Sequence, residues 1–249
     1  MTFEELCTTQ LDIEINTNSS NGVYGTTFRE SAINAGYREF SMLTDCWVRR
    51  ATITVSCNTA EYNLSSISDF RRLDASGPEF RLTSSGSTAT TMVLAGKDDF
   101  PRRDEVWLNT YQTGWNASTT VGMPSAWYLR KDGGRLYLGL DRAPDVGSSE
   151  SCVLRAPYIA EATAMASSTD VPWTDTSGTR VDLVEYHKAL VHYAASQLLP
   201  LTGDRDGAQG QLVMFSDYVK RFWNNLRPRG GSHVTQAKNY LQSARRRPS

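Results

Sequence analysis

Between Asp182 and Leu226 apolar residues recur at three- and four-residue steps in two adjoining runs. The first holds Leu183, Tyr186, Leu190, Tyr193, Ala194 and Leu198, the spacing that lines one face of a helix. Asp182 stands where an N-cap carboxylate would accept first-turn amides, and Pro200 is placed to stop the run. After Leu201-Thr202-Gly203-Asp204 the second run carries Leu212, Phe215, Val219, Phe222, Trp223 and Leu226. Two helices joined so closely pack antiparallel, with Asp204, Arg205 and Asp206 as a solvated tip. Such a hairpin cannot bury its aromatics alone, so it needs a partner layer or a neighbouring subunit.

The N-terminal pattern supplies a layer. Thr2 and Glu5 match a capping box ahead of a helix over roughly Phe3 to Ile13, followed by a polar loop from Asn16 to Gly25. Thr27 and Glu30 repeat the box ahead of Phe28, Ala32, Ile33, Ala35, Tyr37, Phe40 and Leu43, again at helical spacing. From Cys46 the pattern changes to short alternating segments: Trp47-Val48, Ala51–Val55, Glu105–Leu108, Trp127–Arg130, Arg135–Leu140 and Cys152–Ile159 read as strands. Asp132-Gly133 supplies the positive φ of a tight hairpin turn. Glu161 to Thr179 reads as an irregular crossing back to the helices.

The pattern therefore predicts an α+β chain. A helical bundle forms from residues 1–45 and 180–226, a β-rich insertion occupies 46–179, and 227–249 is an extended C-terminal tail.

With 249 residues, 39% of them hydrophobic, the chain can build a sizeable core. It has no run of about 18 apolar residues, and its first residues lack the basic and apolar regions of a signal peptide. It reads as made and kept in a cytoplasm. There Cys7, Cys46, Cys57 and Cys152, widely spread, serve as small buried hydrophobes, and glycosylation-type sequons such as Asn63-Leu64-Ser65 carry no meaning.

The net charge of −1 hides an asymmetry. Six of the 26 basic residues and none of the 27 acidic ones lie from Arg227 onward, which leaves 20 basic against 27 acidic groups before it, a formal −7. An acidic body carries a basic tail, which suits an acidic partner or nucleic acid, or simply a solvated end.

The candidate chemistry is sparse. Nucleophile-elbow, zincin, phosphate-loop and dinucleotide motifs are all lacking, and no catalytic, metal-binding or cofactor-binding residue is assigned. His187 and His192 stand about 140° apart on one helix, too far to share a metal, and are expected at its boundary with a satisfied ring nitrogen. Asp98-Asp99 and Asp104-Glu105 flank Phe100-Pro101-Arg102-Arg103, so Asp98 and Asp104 offer a glycosidase pair, though a salt-laced loop explains them better. Trp107, Tyr111, Trp115, Trp127 and Tyr128 suit either a sugar platform or a β-layer core.

The order of these weak signals is itself informative. Ile33-Asn34-Ala35-Gly36-Tyr37-Arg38-Glu39-Phe40 is followed by Gly122-Met123-Pro124-Ser125-Ala126-Trp127-Tyr128, then by Leu136–Leu140 and Ala143-Pro144-Asp145. Tyr158, Val171-Pro172 and the helix Tyr186–Ala195 complete the series. Over most of 27–226 this resembles the head-to-tail adaptor (connector) proteins of tailed bacteriophages.

The resemblance implies a non-enzymatic ring protein, typically dodecameric, that docks under the portal protein and extends the DNA channel. It would present a platform to tail or nozzle proteins, touch DNA only transiently and non-specifically, and need neither cofactor nor membrane. It places the protein at the head–tail junction of the virion, after assembly in the host cytoplasm. Neighbouring bundles would pack around the ring through Tyr186, Tyr193, Phe215, Phe222 and Trp223, while the C-terminal segment grips the portal.

The residues themselves add support for that last step. Beyond Pro228 and Gly230-Gly231, Val234, Ala237, Tyr240, Leu241 and Ala244 form an apolar stripe with a basic end. Arg227, Arg229, Val234, Tyr240, Leu241, Arg245, Arg246 and Arg247 are thus the candidate portal-binding residues, by helix-in-groove docking and charged contacts. The alternative reading is a carbohydrate- or receptor-binding β module of a phage tail, using Trp107, Trp115 and Trp127; a glycan hydrolase ranks below both.

Overall fold

The structure is a computed structural model that describes residues 1–16, 24–84, 91–111, 115, 121–145, 150–175 and 178–225. Its helices in chain order are α1 (Phe3–Glu5), α2 (Leu11–Glu14), α3 (Thr26–Thr44), α4 (Gly96–Asp99), α5 (Glu105–Tyr111), α6 (His187–Leu198) and α7 (Arg205–Asn225). The strands are β1 (Val48–Thr54), β2 (Glu61–Asn63), β3 (Phe70–Leu73), β4 (Glu79–Ser84) and β5 (Thr91–Leu94), then β6 (Trp127–Asp132), β7 (Arg135–Leu140), β8 (Glu150–Ala160), β9 (Thr174–Asp175) and β10 (Gly178–Thr179). Mixed α and β structure with antiparallel sheets is thus what forms. The chain divides into a helical unit, Met1–Trp47 with Glu161–Ser249, and a β unit, Val48–Ala160.

The helical unit opens on the capping box. Thr2 Oγ1 accepts from Glu5 N, and the Glu5 carboxylate accepts from Thr2 N at 2.8 Å. Between α1 and α2 the backbone widens into a π-helical turn, Leu6–Gln10, that keeps Leu6 and Cys7 buried. The second expected box, Thr27 with Glu30, does not form. Gly25 is the N-cap of α3 and offers no side chain, while Arg29 turns inward to give its Nε to Tyr24 O (2.9 Å) and pair with Asp12. A buried guanidinium needs those partners, and meeting them ties α3 to the N-terminal helices.

Phe40 is the centre of this unit. Its fully buried ring lies 5.5 Å from Trp173, 5.6 Å from Tyr186, 6.0 Å from Phe222 and 6.2 Å from Phe215, so it meets four aromatics from three other parts of the chain. Close approach of α3 and α6 depends on Gly36, where an added Cβ would stand 2.9 Å from the Leu190 carbonyl.

The crossing segment joins the helices, whereas the pattern assigned Glu161 to Thr179 to the β-rich middle. Asn34 explains the difference: its side-chain amide exchanges two hydrogen bonds with the Met165 backbone, at 3.0 and 2.8 Å. Trp173 completes the attachment, giving its N–H to Tyr37 Oη (3.2 Å) and its indole N–H to Ser41 Oγ (3.0 Å).

The hairpin's ends also differ from the pattern. A 3₁₀ segment, Val181–Tyr186, precedes α6, and Asp182 is held by a forked pair to Arg180 instead of capping the helix. Pro200 falls in the first turn of a second 3₁₀ segment, Leu199–Thr202, so the turn itself comes at Gly203, with φ of 87°. Asp204 is no mere tip, because its carboxylate accepts the Gly207 amide at 2.8 Å and caps α7.

His187 is also not at a boundary. It is fully buried, with Nδ1 3.4 Å from the Met1 α-amino group and no partner for Nε2. Burial, with the ammonium nearby, pushes its pKa down to about 4. His192 sits apart, with Nδ1 2.6 Å from Gln211 Oε1. Among the described residues no cluster of three or more His, Cys, Asp or Glu could hold a metal, and no helix is long and apolar enough to cross a membrane.

In the β unit the strand order is β1-β8-β4-β5, with β3 also on β8, beside a second sheet of order β2-β7-β6. The eleven-residue β8 alternates, burying Cys152, Leu154, Ala156 and Tyr158. Cys152, Leu154 and Ala156 meet Phe80, Phe100, Trp127, Leu138 and Leu140 in one core, while the Tyr158 ring packs against Phe70 at 5.6 Å. The β6–β7 hairpin turns through Gly133-Gly134, with φ of 53° and 81°, because Asp132 is already paired with Arg135. Glu105–Leu108, read as strand from Val-Trp-Leu, is helix α5. The Asp104 carboxylate caps it through the Trp107 amide at 2.7 Å, and only one face is needed inside: Leu108 is buried while Val106 is 74% exposed.

Phe40→Ala is expected to lower the unfolding free energy by roughly 3–5 kcal/mol, measured by urea denaturation followed by tryptophan fluorescence. His187 titrates near 6.5 when unfolded and near 4 when folded, so the unfolded state takes up the proton first. Stability present above pH 6.5 then falls as pH drops toward 4, by up to roughly 3 kcal/mol. His187→Gln is expected to remove that part of the pH dependence, read as a flatter curve of unfolding free energy between pH 4 and 7.

Candidate functional site

The β2-β7-β6 sheet sets three residues in one row: Glu61 pairs with Gly139, and Gly139 with Tyr128. Gly139 has no side chain, so the Tyr128 ring lies directly across it; an added Cβ would be 2.0 Å from Tyr128 Cζ. Lying flat, the phenol reaches Glu61 Oε1 at 2.9 Å. Arg130, two residues along β6 on the same face, forks onto the same carboxylate through Nε at 2.9 Å and Nη2 at 2.6 Å. Burial raises the Tyr128 pKa, and the hydrogen bond to Glu61 raises it further, so the phenol stays protonated.

Helix α5 adds a second wall. Glu105 and Asn109 are one turn apart and share a face. Asn109 Oδ1 accepts the indole N–H of Trp115 at 2.8 Å, and that indole stands edge-on to Tyr128 at 4.9 Å. Glu61, Glu105, Asn109, Trp115, Tyr128 and Arg130, with Asn58, Thr59, Ala60 and Ala143, enclose an open cleft of about 620 Å³.

Beside the cleft lies the Gly122–Tyr128 segment. Asp141, fully buried, accepts the Ser125 amide (2.8 Å), the Ser125 hydroxyl (2.7 Å) and the Ala126 amide (3.1 Å). Gly122 N donates to Ala143 O at 2.9 Å with φ of 150°, a value that suits glycine. This one carboxylate therefore shapes the turn that delivers Trp127 and Tyr128 to β6.

The sugar platform expected from five aromatics is divided. Trp115 and Tyr128 line the cleft. Trp127 is buried in the core with its indole N–H on Phe100 O (3.1 Å), and Trp107 lies under the Arg103 guanidinium at 4.3 Å and beside Tyr111. The hydrolase pair is not assembled in the cleft either: Asp104 caps α5, and neither it nor Asp98 lines the walls. Glu61, Gly139, Asn109 and Asp141 escaped the sequence reading, although an isolated glycine in a strand pattern does signal close approach.

In the helical unit, Tyr186, Phe215 and Phe222 lie in their own chain's core around Phe40. Tyr193 and Trp223 are half-buried, 5.0 Å from Phe215 and 6.3 Å from Phe222. Arg227, Arg229, Val234, Tyr240, Leu241, Arg245, Arg246 and Arg247 all lie outside the described residues.

These features define a two-unit α and β protein with a polar cleft in its β unit. Comparison with known families goes further: the model of the SU10 adaptor protein family matches residues 1–239, and the chain belongs to that family of phage structural adaptors. No curated protein matches it.

Asp141→Ala is expected to cost roughly 2–4 kcal/mol, since it leaves buried donors without an acceptor. Hydrogen exchange should locate the loss, with faster exchange at the Ser125 and Ala126 amides than in β8.

Proposed function

We propose that this chain is a non-enzymatic virion adaptor that assembles as a dodecameric ring beneath the portal protein at the capsid vertex. The observation that carries this reading is the family match over 239 of the 249 residues. The ring extends the DNA channel and offers the tail its attachment platform, after assembly in the host cytoplasm.

The geometry of the helical unit is compatible with lateral packing. Tyr186, Phe215 and Phe222 are occupied inside, and by filling the core they set which residues point outward. Val213 and Met214 on α7 and Val181 and Val184 before α6 are exposed, and with Tyr193 and Trp223 they offer apolar surface to a neighbour. The acidic body, formally −7 before Arg227, suits a lining that lets DNA slide without tight phosphate contacts. The basic residues from Arg227 to Arg247, with Val234, Tyr240 and Leu241, are assigned to the portal, whose carboxylates they would meet.

Electron microscopy of the chain co-expressed with its portal protein tests this reading. A ring stacked coaxially on the portal is the expected outcome; monomers beside intact bare portals would overturn it. Deleting residues 227–249 should abolish docking while leaving the circular dichroism spectrum unchanged, and retained docking would remove the tail from the proposal.

A further inference from the structure

We infer that the outer face of the β1-β8-β4-β5 sheet binds the phosphate backbone of duplex DNA through a diagonal of Arg50, Arg155 and Arg81. The adaptor reading leaves DNA contact without named residues. This face is assigned from its own charge and shape, and its test needs neither ring nor portal.

Charge is divided between the two units. Of the 20 basic and 27 acidic residues before Arg227, 13 and 12 lie in the β unit, which leaves the helices 7 against 15, a formal −8. The β unit is thus formally +1, and its charge is gathered on one side. Strand β8 buries Cys152, Leu154 and Ala156, so Val153, Arg155 and Pro157 point the other way. Directly paired residues share a face. Arg50 and Thr52 on β1 therefore lie beside Pro157 and Arg155, and Glu79 and Arg81 on β4 beside Arg155 and Val153. Arg72, opposite Ile159, joins them from β3. Within the paired strands this face carries four arginines against the single carboxylate of Glu79, a formal +3.

The arginines are also ordered. Arg155 stands two residues from the partner of Arg50, and Arg81 two from the partner of Arg155. The three run diagonally across adjacent strands at steps of roughly 7–8 Å. Arg81 is held by Glu79 Oε2, at 3.2 and 3.0 Å, whereas Arg50 and Arg155 meet no carboxylate among the described residues.

Shape and chemistry then select the anion. Protein interfaces centre on large apolar or aromatic anchors; the apolar residues accessible here are Val48, Val93, Val153 and Pro157. Single strands bind by stacking on aromatic rings, and none lies on this face among the described residues. Beside the guanidinium groups stand the hydroxyls of Thr52, Thr54, Thr83 and Thr91, and both donor types contact phosphate oxygens. Four strands at about 4.8 Å spacing are too broad for a major groove about 12 Å wide, which admits two. The face therefore meets the backbone and reads no sequence.

Fluorescence anisotropy of a labelled duplex of mixed sequence, titrated with the full chain, is the test. Binding should weaken steeply as salt rises from about 50 to 200 mM. Arg50→Gln with Arg155→Gln should weaken it roughly tenfold or more at the lower salt, and reduce the slope of log K against log salt by about 1.8, two phosphate contacts at about 0.9 each. Both residues lie on the solvent face, and circular dichroism checks that the variant keeps its fold. Because the tail is also basic, the pair is repeated in a background with Arg245→Gln, Arg246→Gln and Arg247→Gln, where the same drop in slope is expected. Unchanged affinity in the sheet variant would overturn the inference, as would no binding by folded protein at low salt. Displacement of the duplex by polyglutamate at equal charge concentration would assign the face to an acidic protein and overturn it too. Ring formation on the portal is read separately, so either proposal can fail alone.

Discussion

The helical unit depends on one packing constraint: a single ring, Phe40 on α3, is fully buried and must be surrounded on all sides. The crossing segment, the 3₁₀ turn before α6 and α7 each contribute aromatics to the same place. Edge-to-face contacts prefer particular angles, so such a cluster specifies orientation as well as contact. The left-handed backbone at Trp173, with φ of 54°, is tolerated because its indole is fully buried and hydrogen-bonded. Around this centre, polar residues do the joining: Asn34 holds the crossing chain, Arg29 holds the N-terminus and Gln211 links α7 to Glu14.

The β unit solves a similar problem with a missing side chain. Gly139 lets the Tyr128 ring cross β7 and reach Glu61, and Glu61 in turn orders Arg130. The cleft wall is therefore a consequence of sheet register, since a shift by one residue would remove Gly139 from the row and send every side chain to the other face. Register is secured in part at Asp141, one residue beyond β7, which clamps the chain entering β6. Structure and candidate site thus share the same residues, and the cleft comes largely pre-formed.

Legibility followed locality. Helical periodicity marked α3 and α7, each of which keeps an exposed side, and also α6, although nine of its twelve residues are buried; Thr2 with Glu5 marked the first cap because both partners lie within one turn. Thr27 with Glu30 matched the same pattern and failed, because the pull on Arg29 comes from Tyr24, Cys7 and Asp12, which no local pattern contains. Asp182 was lost instead to a sequence neighbour, Arg180, two residues before it. The Val-Trp-Leu run of α5 misled because β-branched and aromatic residues favour strands unless a cap intervenes, and Asp104 supplies that cap. The cleft was least visible of all: it joins residues near 60, 105, 115 and 130, and only the finished sheet brings them together.

Interior and exterior aromatics in the hairpin carry different consequences for assembly. Of the residues first read as a surface for neighbours, Tyr186, Phe215 and Phe222 are buried in the core, so the proposed lateral interface would use Tyr193, Trp223, the outward face of α7 and the residues before α6. That division has a mechanical advantage for an adaptor. Val219 and Phe222 anchor the last turns of α7 in the core, so the chain beyond Asn225 departs from a held point. A docking segment attached at a held point searches a limited volume, which raises its effective concentration at a receptor on an adjoining ring. In the proposed dodecameric ring, twelve such departures around one axis would multiply weak contacts into a stable joint. The aromatic core would then serve the proposed attachment without touching the partner, by fixing where each tail begins.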